Sequence, residues 1–133
     1  APVLIVTTTA GFQRISAHHL PSGVKISTVQ SRDSISVQEI LAAVHGVRQS
    51  DIILVEGGPQ LMGDFFAERC LDELFLTLAP QIAGRDHSVE RPGLVMGKRF
   101  APEHPLWGTL IGIKRGGSHL FLRYAFETKE TAP

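Results

Sequence analysis

Apolar positions fall into short, differently patterned runs along this chain, and each pattern predicts an element. Val3 to Thr7 is a β-branched run that closes in Thr7-Thr8-Thr9, and Gly23 to Val29 sets Val24 and Ile26 against polar neighbours; both predict strands. The stretch between them, Ala10 to Ser22, carries no decisive period, although Pro21-Ser22-Gly23 predicts a turn into the second strand. Ser36-Val-Gln-Glu39 spells a capping box, and Val37, Ile40, Leu41 and Val44 form one apolar helical face that ends by Gly46. Ile52 to Val55 is an unbroken apolar burst, the pattern of a strand buried on both faces. Pro59 opens a helix directly after Gly57-Gly58. A further strand is expected from Leu71, and Leu106 to Ile113 with His119 to Glu127, joined through Lys114 to Ser118, predicts a hairpin.

The order β-β-α-β-α-β implies an α/β fold with a mostly parallel sheet, helices on both faces, and antiparallel strands added by the hairpin. Ligands of such sheets sit outside the carboxyl ends of the strands. Thr7, Thr8 and Thr9 lie at one such end and Glu56, Gly57 and Gly58 at another, which suggests one shared ligand site. Gly57-Gly58 lets backbone approach a ligand, and Pro59 gives up an amide that would be unpaired anyway, leaving the free amides near Gln60, Leu61 and Met62 to face a phosphate. Glu56 is the lone acid closing the apolar run, and its expected burial at that strand end makes it a candidate proton donor. The plainer alternative stays open for both segments: glycine and proline punctuate any strand-to-helix turn, and threonines end strands and cap loops. Neither a GxGxxG nor a GxxxxGK[ST] fingerprint occurs.

Composition narrows the classes. The chain has 133 residues, 43% of them hydrophobic, which suits one globular domain with a substantial core. Thirteen basic and 13 acidic side chains cancel, so the electrostatic footprint of a nucleic-acid binder is missing. The single cysteine, Cys70, has no disulfide partner and reads as a structural thiol, and no zinc spacing appears, so no metal is expected. His18-His19 reads as exposed loop, and His45 as a charge partner for a helix end. Asp72-Glu73 resembles an acid/base pair but sits where a strand opens beside a turn, a structural setting. No apolar run is long enough to cross a bilayer and no secretion signal opens the chain, so the cytoplasm is the expected location.

Val55-Glu-Gly-Gly-Pro-Gln-Leu61, followed by Cys70-Leu-Asp-Glu-Leu-Phe-Leu-Thr-Leu-Ala-Pro-Gln-Ile-Ala-Gly84, resembles the reductase domain of bacterial riboflavin biosynthesis, a relative of dihydrofolate reductase. The resemblance runs over roughly residues 3 to 84, and the closing hairpin is compatible with it. It implies that Gly57, Gly58, Pro59, Gln60, Leu61 and Met62 hold the pyrophosphate of NADPH and that Glu56 faces the substrate. Thr7, Thr8 and Thr9 would meet the adenosine ribose and its 2′-phosphate, with Arg14 as a helper. The family's Ser-Leu-Asp-Gly segment and glycine-threonine cofactor motif do not occur, and the chain opens Ala1-Pro2-Val3, so it is expected to be the C-terminal portion of a domain, lacking the N-terminal half. Residues 1–127 are then that portion and 128–133 a tail, with Arg85 to Gly93 a loop.

The implied reaction is the NADPH-dependent reduction of the ribosyl group of a phosphoribosylamino-pyrimidine to a ribityl group, by a homodimer. Rivals are a reductase of pteridine type on the same scaffold and a non-catalytic nucleotide-binding or assembly module. NADPH against NADH, a fused deaminase domain and the catalytic acid are left open.

Overall fold

The computed structural model describes residues 2–31, 34–84, 86, 88 and 92–127. The chain forms two compact units, Ala1–Leu54 and Val55–Pro133.

In the first unit, β1 (Val3–Thr8) and β2 (Val24–Val29) pair in parallel, with Val3 opposite Val24 and Thr8 opposite Val29. Parallel neighbours need a crossover, and the stretch whose period was undecided supplies it as α1 (Thr9–Ile15). Thr8 is the N-cap of α1, its Oγ1 accepting from the Gly11 amide at 3.2 Å. Gly11 is buried, and a Cβ there would run into the Thr7 hydroxyl, so only glycine lets the helix start this close to β1. The capping box forms as expected at the head of α2 (Val37–Val47), whose Val37 is completely buried.

The expected strand Ile52 to Val55 is not one. It has no ladder partner among the described residues, and Ile52 and Leu54 are 84% and 72% exposed. A strand is made by partners for its amides and carbonyls, and an apolar run alone does not supply them. The sheet expected to be mostly parallel is accordingly one parallel pair here, with a separate antiparallel sheet in the second unit.

That second unit begins with α3 (Pro59–Ala67), which buries Met62, Phe65 and Phe66. The helix ends in a Schellman motif: the Cys70 amide donates to the Phe65 carbonyl at 3.0 Å and the Arg69 amide to that of Phe66 at 3.2 Å. β3 (Glu73–Leu78), β4 (Thr109–Gly116) and β5 (His119–Ala125) form an antiparallel sheet in the order β3-β5-β4. Gly116 pairs with His119, so the hairpin turn is tighter than Lys114 to Ser118, and Gly117 takes φ 59 at the first of its two central positions, as a type II′ turn requires. Glu73 is held by a fork from Arg123, Nε to Oε2 at 2.6 Å and Nη2 to Oε1 at 2.5 Å. The guanidinium beside it holds the Glu73 carboxyl below the ordinary value, and the acid acts as a strand tie, in line with the structural reading. Cys70 is half-buried, its thiol 3.5 Å from the Glu68 carbonyl. The expected tail lies outside the described residues, as does most of the loop 85–93.

The segment 95–98 lies across α3. The Met96 amide donates to the Pro59 carbonyl at 3.0 Å, and Lys98 pairs with Asp64 at 3.1 Å. Gly63 makes this possible: a Cβ on it would sit 2.5 Å from the Met96 carbonyl oxygen and 3.3 Å from Val95 Cγ1. Because the obstacle is backbone, Gly63→Ala is expected to destabilise the protein by about 1–3 kcal/mol despite alanine's higher helix propensity, measured by urea denaturation.

Candidate functional site

Parallel pairing brings the carboxyl ends of β1 and β2 to one edge of the first unit. There they frame an open depression of about 560 Å³ lined by Thr8, Thr9, Ala10, Gln13, Gln30 and Ser31. Thr8 uses an oxygen lone pair to cap α1, which leaves its O–H to donate. Ser31 is held in place by donating to the Glu39 carboxylate at 2.8 Å, the same carboxylate that accepts from the Ser36 amide at 2.9 Å. Hydrogen bonds from the Ser36 amide, then the Ser31 and Ser36 hydroxyls, keep the Glu39 carboxyl below its ordinary value. The capping box thus continues into the depression through Ser31.

Thr8 and Thr9 therefore stand where the sequence placed them, at a polar depression. Thr7 is half-buried, with its hydroxyl against Gly11, and is not part of the lining; Arg14 is exposed in the last turn of α1 and is not part of it either. Gln13, Gln30 and Ser31 were missed. Gln30 and Ser31 carry no signal of their own, but they directly follow Val29, and the pairing of Thr8 with Val29 is what sets them beside the threonines.

Glu56, Gly57, Gly58, Pro59, Gln60, Leu61 and Met62 belong to the second unit. Glu56 is exposed, against the apolar, buried setting expected for it, because the run before it does not enter a sheet. Gly58 is the N-cap of α3 at φ −72 and ψ 172, with no side-chain cap. The Met62 amide donates to the Gly58 carbonyl at 3.0 Å and Met62 is buried, so the amides at this helix start without an intrahelical acceptor are those of Gln60 and Leu61. They carry the positive end of the helix dipole.

The two glycines differ in kind. A Cβ on Gly57 would collide with the Leu61 side chain, whereas one on Gly58 would meet nothing within 4 Å. Gly57 thus has a packing reason to be glycine, and Gly58 has none in the folded chain. Gly58→Ala is expected to cost less than about 1 kcal/mol of stability, and Gly57→Ala about 1–3 kcal/mol because Leu61 must shift; thermal unfolding of the two variants separates them.

Among the described residues no group of three or more His, Cys, Asp or Glu is placed to hold a metal ion, and no helix is long and apolar enough to cross a membrane.

Comparison with known proteins adds a family and a fold. The family model of the RibD C-terminal domain matches residues 1–102. Among solved structures, the crystal structure of a pyrimidine reductase-like protein from Corynebacterium diphtheriae superimposes with a TM-score of 0.64 at 20% identity. The match covers 95% of this chain and 50% of that one, so the chain spans about half the length of that protein. No curated protein sequence matches.

Proposed function

The chain belongs to the RibD C-terminal domain family, a reductase-type family of riboflavin biosynthesis, and we propose that it contributes to NADPH-dependent reduction of a phosphoribosylamino-pyrimidine. The product of that reaction carries a ribityl in place of a ribosyl group. The observation that carries the cofactor assignment is the lining of the depression at the ends of β1 and β2. Among the described residues its lining offers hydroxyls from Thr8 and Thr9 and side-chain amides from Gln13 and Gln30, the Ser31 hydroxyl being turned to Glu39, and it carries no carboxylate of its own. A site for the unphosphorylated ribose of NADH characteristically presents an acid to the 2′-hydroxyl, and an acid would repel a 2′-phosphate. The donor set here suits the phosphate. At the start of α3, the free amides of Gln60 and Leu61 and the unobstructed backbone at Gly58 suit a pyrophosphate oxygen.

When bound, NADPH supplies the hydride; the residues of this chain bind and orient the reactants. Thr8 and Thr9 are assigned to the 2′-phosphate end and Gly58 to Leu61 to the pyrophosphate. Glu56, exposed directly before the glycines, is assigned to the substrate. Its role is that of a hydrogen-bond acceptor for substrate hydroxyls, as suits an ionised carboxylate, which only accepts. The reading includes a homodimer, for which the exposed apolar side chains on one face of the antiparallel sheet, Leu78, Leu110 and Ile113, are the supporting observation.

Two substitutions test the assignment in the purified reductase. Thr9→Glu places an acid at the first turn of α1, where the helix tolerates it, and is expected to weaken NADPH binding roughly tenfold or more while leaving NADH binding nearly unchanged. Titration of reduced nicotinamide fluorescence measures both, and equal losses for the two cofactors would remove the 2′-phosphate assignment. Glu56→Gln is expected to lower kcat/KM about 10- to 100-fold with unaltered NADPH affinity; undiminished turnover takes Glu56 out of the substrate site.

A further inference from the structure

The second unit contains a cleft that the proposed reaction does not use. It encloses about 460 Å³ between the end of α3, the residues leading into β4 and those leaving β5. Its packing is set by aromatic contacts: Phe66 and Phe126 meet edge to face at 5.2 Å. Gly108 has no room for a Cβ, because the Phe126 ring carbons would stand 2.8 and 2.9 Å away. The wall of the cleft at Phe66, Gly108 and Phe126 is therefore fixed by packing.

Two residues on its lining are poorly explained by folding. Trp107, the only tryptophan in the chain, is 84% exposed, so its indole contributes little to the core. Arg69 occupies the left-handed position of the Schellman motif at φ 54, where glycine is the ordinary choice and a side chain is strained. That side chain has no ion-pair or hydrogen-bond partner among the described residues. An arginine at a position that favours glycine, with no partner among the described residues, is accounted for when its guanidinium meets something outside the fold.

We infer that this cleft binds a small, planar aromatic molecule carrying one anionic group. The ring lies against the Trp107 indole, and the anion meets the Arg69 guanidinium, whose flat array of donors matches a carboxylate or phosphate. The volume falls within the range of small-molecule sites. Glu127 is the other charged residue on the lining. It accepts a hydrogen bond from a hydroxyl or amino group on the ring and disfavours a second anionic group.

The single tryptophan makes the test direct, because the protein has one indole N–H resonance and it reports on this cleft. 4-Hydroxybenzoate is the probe, with 4-hydroxybenzamide as the uncharged control of the same shape. The expected result is a saturable shift of the Trp107 indole resonance with the acid and no saturable shift with the amide at equal concentration. Arg69→Gly is expected to raise Tm, because it relieves the left-handed strain, while weakening binding of the acid roughly tenfold or more. The opposed changes in stability and affinity separate a binding role from a structural one. No saturable shift with the acid, equal shifts with acid and amide, or undiminished binding by Arg69→Gly overturns the assignment.

Discussion

Two parallel strands cannot be joined by a tight turn, and much of the first unit follows from that constraint. The chain must leave the carboxyl end of β1 and return to the amino end of β2, so something has to climb back alongside the pair, and α1 does so. Turning a strand directly into a helix at Thr8 demands a cap and a close approach. Thr8 supplies the first through its hydroxyl, and Gly11 permits the second by lacking a side chain. The same constraint sets both carboxyl ends on one edge, which is why Gln30 and Ser31 come to stand beside Thr8 and Thr9. A polar depression at that edge is a result of topology before it is a result of any binding requirement.

In the second unit the governing contact is between helix and loop. Gly63 in the middle of α3 forgoes helix propensity so that the backbone at Met96 can pass over it, and the Pro59 carbonyl in the first turn takes the Met96 amide. The segment 95–98 is thereby tied to the same helix start that presents the Gln60 and Leu61 amides. Phe66 on the opposite end of that helix meets Phe126 after β5, and the Asp72 carbonyl accepts from the Phe126 amide at 2.9 Å. Helix, loop and sheet are thus linked through a few points where either no side chain fits or an aromatic ring fills the space.

What the sequence disclosed and what it concealed divide along local and non-local causes. The capping box at Ser36 and Glu39 and the proline start of α3 are written in neighbouring residues and appear in the structure as read, and the hairpin forms with a tighter turn than expected. α1 has only Phe12 and Ile15 to mark its apolar side, and Phe12 remains 40% exposed, so its hydrophobic period was too short to register. Ile52 to Val55 failed in the other direction. Its composition is that of a buried strand, but strand formation depends on neighbours supplied from elsewhere, which composition does not encode. The consequence passes to Glu56, whose expected burial depended on that strand. At the depression Thr8 and Thr9 were legible from type and position, whereas Gln30 and Ser31 required the register of a partner strand to be known.

The register of the hairpin shifts between Leu110 and Gly112, so that Ile111 is an extra residue on β4 with no opposite number on β5. β4 is an outer strand of its sheet, and an outer strand offers a row of unpaired amides and carbonyls to any extended chain that drifts past. A bulge bends that row and throws its spacing out of step, and Lys114 and Arg115 place positive charge further along the same edge. A second hairpin of identical sequence meets a kinked, charged border instead of a straight template. The irregularity in β4 therefore serves as a guard against molecules pairing edge to edge into fibres.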